Sequence, residues 1–157
     1  MRIEYFQLID RIVDLDLDGR TIRVDAQVPH ESTIFEGHFP GHPLMPGVLL
    51  IEAMAQAAGW LVLAVTKFER MAFLAAVKEA KLRSFVTPGQ LLSIEAKVLH
   101  EGSGYAMTKA SVTVNGKLTC ESELTLRIMP FPDPRLRATM EEVAGRIGYP
   151  MKAPTDG

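Results

Sequence analysis

The chain has 157 residues, of which 47% are hydrophobic and 23% charged, with a formal net charge of −2 at neutral pH. That is the profile of one globular domain large enough to bury a core unaided, and it excludes both a disordered chain and bulk-charge binding of nucleic acid. A single cysteine, Cys120, excludes an internal disulfide, and no Cys/His group has the spacing of a zinc site.

Met1–Asp10 interleaves Arg2, Glu4 and Asp10 with apolar residues and has no continuous hydrophobic stretch. It does not read as a signal peptide, and a cytoplasmic location is expected. Leu8–Leu17 alternates apolar residues with charges and is predicted to be a strand. Asp18-Gly19 is a hairpin turn signal, and Thr21–Val28 is predicted as the returning strand. Pro29–Pro46 reads as a loop rich in Pro, Gly and His. Val48–Val65 is an apolar run interrupted only by Glu52 and Gln56. Its length reaches that of a membrane span, but a carboxylate inside a lone span is costly, and no aromatic or basic anchor precedes it. A helix apolar on every side is otherwise the centre of a core, so a sheet is expected to wrap it. Pro46 suits the helix's first turn, and the helix is predicted to run from Gly47 or Val48 to about Thr66.

Four further strands follow: Met71–Arg83, Leu91–Leu99, Tyr105–Val114 and Lys117–Met129. Thr87-Pro88-Gly89, Gly102-Ser103-Gly104 and Asn115-Gly116 mark the turns between them. Pro130, Pro132 and Pro134 break the last strand. Asp133 then caps a helix with Leu136, Met140, Val143 and Ile147 on one stripe, ending near Gly148. Ala153–Gly157 is expected to fray. The fold class is therefore α+β, an antiparallel sheet around a long buried helix, with residues 1–129 as the domain and 130–157 as a C-terminal extension.

Three features converge in Gly37–Gln56. His38 sits among Gly37, Phe39, Pro40 and Gly41, which restrict the backbone around it. Glu52 lies inside the apolar helix, where a carboxylate must be hydrogen-bonded or functional, and Gln56 is its i+4 neighbour. Gly47 opens the helix and exposes an unpaired N–H, which suits an anion or a carbonyl oxygen. Each has an ordinary structural explanation alone. Together they supply a base, an acid and a carbonyl-polarising donor, the parts needed to remove a proton α to a carbonyl and expel a β-hydroxyl.

The block Phe35–Gln56 resembles the signature of the 3-hydroxyacyl-acyl-carrier-protein dehydratases of type II fatty acid synthesis, which have the hot-dog fold. The resemblance rests on His-Phe-Pro-Gly from His38, Met-Pro-Gly before the helix and Glu-Ala-Met-Ala-Gln from Glu52. It implies His38 as base, Glu52 as acid and Gly47 as the amide that binds the thioester carbonyl. It further implies a homodimer with the active sites at its interface, often a trimer of dimers, and a substrate carried on the phosphopantetheine of acyl carrier protein. No metal and no redox cofactor is implied. Glu52, where the related dehydratase/isomerase branch has Asp, points to dehydration without isomerisation.

Phe39, Pro40, Val48, Gln56, Ala72 and Phe73 are expected to line the acyl tunnel. Lys67, Arg70, Lys81 and Arg83 are expected to steer the acidic carrier protein. Small residues at Ala72, Ala75 and Ala76, where the family usually has larger ones, suggest a wider or longer tunnel. Two other readings fit the fold: an acyl thioesterase, and a non-catalytic acyl-binding domain.

Overall fold

Six strands, β1 (Arg11–Asp16), β2 (Thr21–Gln27), β3 (Arg70–Leu82), β4 (Leu91–Gly102), β5 (Tyr105–Val114) and β6 (Lys117–Pro130), form one antiparallel sheet in the order β1-β2-β4-β5-β6-β3. The computed structural model describes residues 1–150. Helix α1 (Thr33–Gly37) precedes the central helix α2 (Gly47–Val65), and α3 (Pro134–Ile147) closes the described chain.

The sheet curls around α2, which touches every strand from β2 to β6. Period-two alternation turns Ile22, Val24 and Ala26 of β2, Leu92, Ile94 and Ala96 of β4, and Leu124 and Leu126 of β6 into the core. Ala53, Ala57 and Ala58 of α2 are fully buried, and their small side chains let the sheet approach the helix closely. The core's polar side chains are paired: Thr108 Oγ1 donates to the Leu124 carbonyl at 2.8 Å, and Ser122 Oγ to that of Lys78 at 3.1 Å.

The helix is not covered on all sides, contrary to the expectation of complete wrapping. Val48, Glu52, Gln56 and Gly59 remain partly or fully accessible, with Val48 71% exposed. These positions stack on one stripe of a 3.6-residue helix. The sheet leaves that stripe open next to β3, which among the described residues pairs only with β6. Phe73, Leu74, Val77 and Leu82 of this edge strand are exposed.

Several boundaries differ from those read in the sequence. β1 begins only at Arg11: the Leu8 N–H is bonded by Gln56 of α2, while the Asp10 N–H still donates to the Asp25 carbonyl of β2 at 3.0 Å. Asp18-Gly19 is not a two-residue hairpin. A four-residue connection joins β1 to β2, with Asp16 Oδ1 accepting the Gly19 N–H at 3.0 Å and Arg20 at positive φ. The expected loop Pro29–Pro46 contains α1, capped by Ser32, whose hydroxyl accepts the Ile34 N–H at 3.1 Å. Pro46 is the N-cap of α2 and not part of its first turn. The Asn115-Gly116 turn has both residues at positive φ, as a type I′ hairpin requires.

The extension is tied down at both ends. Asp133 Oδ1 accepts the Arg135 N–H at 2.8 Å, and Gly148, at φ 80°, ends α3. Tyr149 packs edge-on against Phe68 at 5.5 Å and tilted against Trp60 at 5.9 Å, while Phe131, before the helix, stacks on Phe68 at 6.1 Å. Burial raises the Tyr149 phenol above its ordinary value. The expected fraying of Ala153–Gly157 lies outside the described residues.

Candidate active site

His38 is the residue on which α1 ends, its N–H donating to the Ile34 carbonyl at 3.1 Å. The following turn is closed by reciprocal bonds between Phe39 and His42, and the Leu44 N–H returns to the His38 carbonyl at 2.9 Å. The Met45 N–H then donates to the Val86 carbonyl at 2.8 Å, fastening the loop to the segment after β3. The imidazole is half-buried and stacked on the Phe39 ring, with centroids 4.1 Å apart. Its Nδ1 lies 3.1 Å from the Leu44 carbonyl oxygen. A carbonyl only accepts, so Nδ1 carries a proton, and in the neutral imidazole Nε2 then holds the lone pair. The ring faces a cavity of about 400 Å³.

Gly47 lines the same cavity with Leu50 and Leu82–Val86. It is the first residue of α2, where no i−4 carbonyl of the helix is available to its N–H. A Cβ at this position would stand 2.5 Å from Leu82 Cδ1, so glycine permits the close approach of the end of β3.

Glu52 lies elsewhere. Five residues beyond Gly47 it is turned by about 140° around the helix axis, and it opens into a second cavity of about 440 Å³. Gln56 fixes it there. Its Nε2 donates to Glu52 Oε1 at 3.2 Å and to the Phe6 carbonyl at 2.8 Å, and its Oε1 accepts the Leu8 N–H at 3.2 Å. Ala72 and Phe73 line this second cavity, as do Trp60 and, from α3, Met140 and Val143.

Within one chain, then, His38 and Gly47 share one cavity, and Glu52 and Gln56 another. Of the expected tunnel residues, Phe39 belongs to the first, and Gln56, Ala72 and Phe73 to the second; Pro40 and Val48 line neither. Ala75 and Ala76 are exposed on β3 and also line neither. The four basic residues divide between the two ends of β3. Arg70 and Lys67 are at its start, while Lys81 and Arg83 are at its finish beside the His38 cavity. The ends are separated by roughly 40 Å of strand at about 3.3 Å per residue. Arg83 pairs with Glu121 at 2.8 Å, and this bond holds the Glu121 carboxyl below the usual range.

Two features were not legible in the sequence. The Leu44 carbonyl carries no side-chain signal at all. The Met140/Val143 stripe was visible as the apolar face of a helix, but nothing in its spacing says which cavity it faces.

A family model described as FabA-like domain matches residues 2–123. The chain belongs to the FabA-like family. Among FabA-like relatives, a protein of Lactiplantibacillus plantarum named 3-hydroxyacyl-[acyl-carrier-protein] dehydratase FabZ is 40% identical over 118 residues, 74% of this chain and 80% of that one. One of the same name from Levilactobacillus brevis is 37% identical over 126 residues, 80% and 84% of the two chains. The solved structure of conserved protein PA5202 from Pseudomonas aeruginosa superposes with a TM-score of 0.64 at 21% identity, covering 80% of this chain and 91% of that one. That likeness concerns the fold, which is the hot-dog fold.

Proposed function

We propose that the chain dehydrates (3R)-3-hydroxyacyl thioesters carried by acyl carrier protein, giving trans-2-enoyl thioesters in fatty acid biosynthesis. The observation that carries this reading is the His38 imidazole, whose Nδ1 proton is engaged by the Leu44 carbonyl and whose Nε2 is left free in an apolar cavity beside the Gly47 amide.

The Gly47 N–H bonds the thioester carbonyl oxygen and stabilises negative charge as the α-proton leaves. His38 Nε2 takes that proton from C2. The Glu52 carboxyl gives its proton to the C3 hydroxyl, the C3–O bond breaks, water departs and the C2–C3 double bond forms. Transfer of the proton from imidazolium to carboxylate resets the pair. These steps are proton transfers and one C–O cleavage with no net electron transfer, so the proposed reaction calls for no redox cofactor, and the acid and amide named take the roles a metal would serve. A Glu at this position, as the family resemblance implies, ends the reaction at the 2-enoyl product without isomerisation.

Acid and base come from two copies of the chain. The separation of His38 from Glu52 within one chain supports this, as do the free β3 edge and its exposed Phe73, Leu74 and Val77. A second copy added along β3 buries these side chains and brings its His38 toward the open stripe of α2. A trimer of such dimers is the further assembly proposed. Lys81 and Arg83 are the proposed carrier-protein contacts at the mouth of the His38 cavity, with Lys67 and Arg70 serving the far end. The cytoplasm is the proposed compartment.

The test uses 3-hydroxyacyl carrier protein of graded chain lengths, with mass spectrometry for loss of water. His38→Ala and Glu52→Gln are each expected to lose on the order of 10²–10⁴ in kcat, the worth of a positioned base or acid. Co-expressing the two variants rebuilds one intact site in each mixed dimer, and activity should return to about a quarter of the parent's under random pairing. Full activity of His38→Ala refutes the base. No recovery in the mixed dimers refutes the shared site. Release of free carrier thiol in place of enoyl thioester would reveal a thioesterase.

A further inference from the structure

The C-terminal helix lies beyond the stretch that matches the FabA-like family, yet it forms a wall of the cavity that starts at Glu52. Ala144 and Ile147 are buried and dock the helix. Tyr149 beyond the helix and Phe131 before it hold its ends through Phe68 and Trp60. Met140 and Val143 are only partly buried against the core and, with Arg146 and Ile147, line the cavity. Gly59 also lines the cavity and follows Glu52 by seven residues, about 10 Å along α2 and on nearly the same face. A Cβ built at Gly59 meets nothing within 4 Å, so the space there is open. The cavity is mostly apolar in its lining, and its volume of about 440 Å³ falls in the usual range of ligand sites.

Building on the dehydratase reading above, we propose that Met140 and Val143 of α3, together with the open space at Gly59, form the distal wall against which the acyl tail of the substrate packs. This chain thus selects acyl length with a helix outside the family's common domain. The carboxyl of Glu52 meets the 3-hydroxyl at one end of the cavity, and the tail runs along α2 toward the wall. A side chain placed in that space removes room from long tails and little from short ones.

The experiment compares the parent with Gly59→Leu, Val143→Trp and Met140→Ala, each verified by its thermal melt. The readout is the ratio of kcat/KM for long against short 3-hydroxyacyl carrier proteins. Gly59→Leu and Val143→Trp should lower this ratio on the order of 10–200-fold, the discrimination that misfit of a few atoms in an apolar pocket delivers. Met140→Ala should raise it, and it also serves if a bulky variant does not fold. A second readout is independent of turnover. Trp60, the chain's one tryptophan, lines the same cavity, so a long-chain acyl-pantetheine should change its emission in the parent and much less in Gly59→Leu. An unaltered ratio in folded variants, with undiminished Trp60 response in Gly59→Leu, overturns the proposal. A parent that dehydrates no substrate while its Trp60 still responds overturns the dehydratase reading and leaves the acyl wall standing.

Discussion

Replacing Gln56 by Met removes three hydrogen bonds while nearly conserving side-chain volume. The consequences differ by site. The Leu8 N–H is the costly loss, because Leu8 is fully buried and its donor is left without a partner; an orphaned buried donor costs about 1–3 kcal/mol. The Phe6 carbonyl is at an exposed residue and regains water, so its loss contributes little. The bond to half-buried Glu52 adds about 0.5–1.5 kcal/mol. The expected destabilisation is about 2–4 kcal/mol, measured by urea unfolding at fixed protein concentration with an unchanged m value. Activity should fall as well, and in kcat more than in KM, because Glu52 loses the group that orients it. The conservative Gln56→Glu keeps an acceptor for the Leu8 N–H but sets a second carboxylate beside Glu52 and an acceptor against the Phe6 carbonyl, so it should not restore kcat. A Gln56→Met protein within about 0.5 kcal/mol of the parent, the usual scatter of neutral surface changes, would refute this account of the residue as the clamp between the N-terminal segment and α2.

Two further predictions concern parts of the molecule away from the site. Burial pushes the Cys120 thiol up to about 11 from an ordinary 9, so at about pH 8 only about one thiol in a thousand is ionised, and alkylation of the folded protein should be slow and become fast on unfolding. Because the folded value is the higher one, the unfolded chain ionises first as pH rises, and stability should decline from about pH 9 to about pH 11. Cys120→Ala should lack that part of the decline, and identical pH profiles for the two proteins would contradict it. At the β5–β6 hairpin, Gly116 has φ 77° with open space around it. Gly116→Ala should therefore cost about 1–2 kcal/mol through backbone conformation alone, read as a lowered urea midpoint, and an unshifted midpoint would mean the turn relaxes to another type.

Local rules were enough for much of the fold. Five of the six strands, the long apolar helix and the α3 caps at Asp133 and Gly148 follow from periodicity and turn chemistry, which act between residues close in sequence. The site's vocabulary was legible too, since His38 among its Gly and Pro neighbours and Glu52 inside an apolar run are each unusual on their own. Residues far apart in the chain decided the rest. The Leu44 carbonyl that sets the His38 tautomer is a backbone group, invisible to any side-chain pattern. Gln56 was readable as the i+4 partner of Glu52, but its bonds to Phe6 and Leu8 join segments about fifty positions apart. The strand nature of Arg70–Leu82, whose alanines and charges suit a helix equally, is imposed by pairing with β6. Most of all, the amphipathic stripe of α3 required a surface to cover without naming it. Burial is a demand that many surfaces can meet, and only the closed chain brought Met140 and Val143 to the cavity of Glu52.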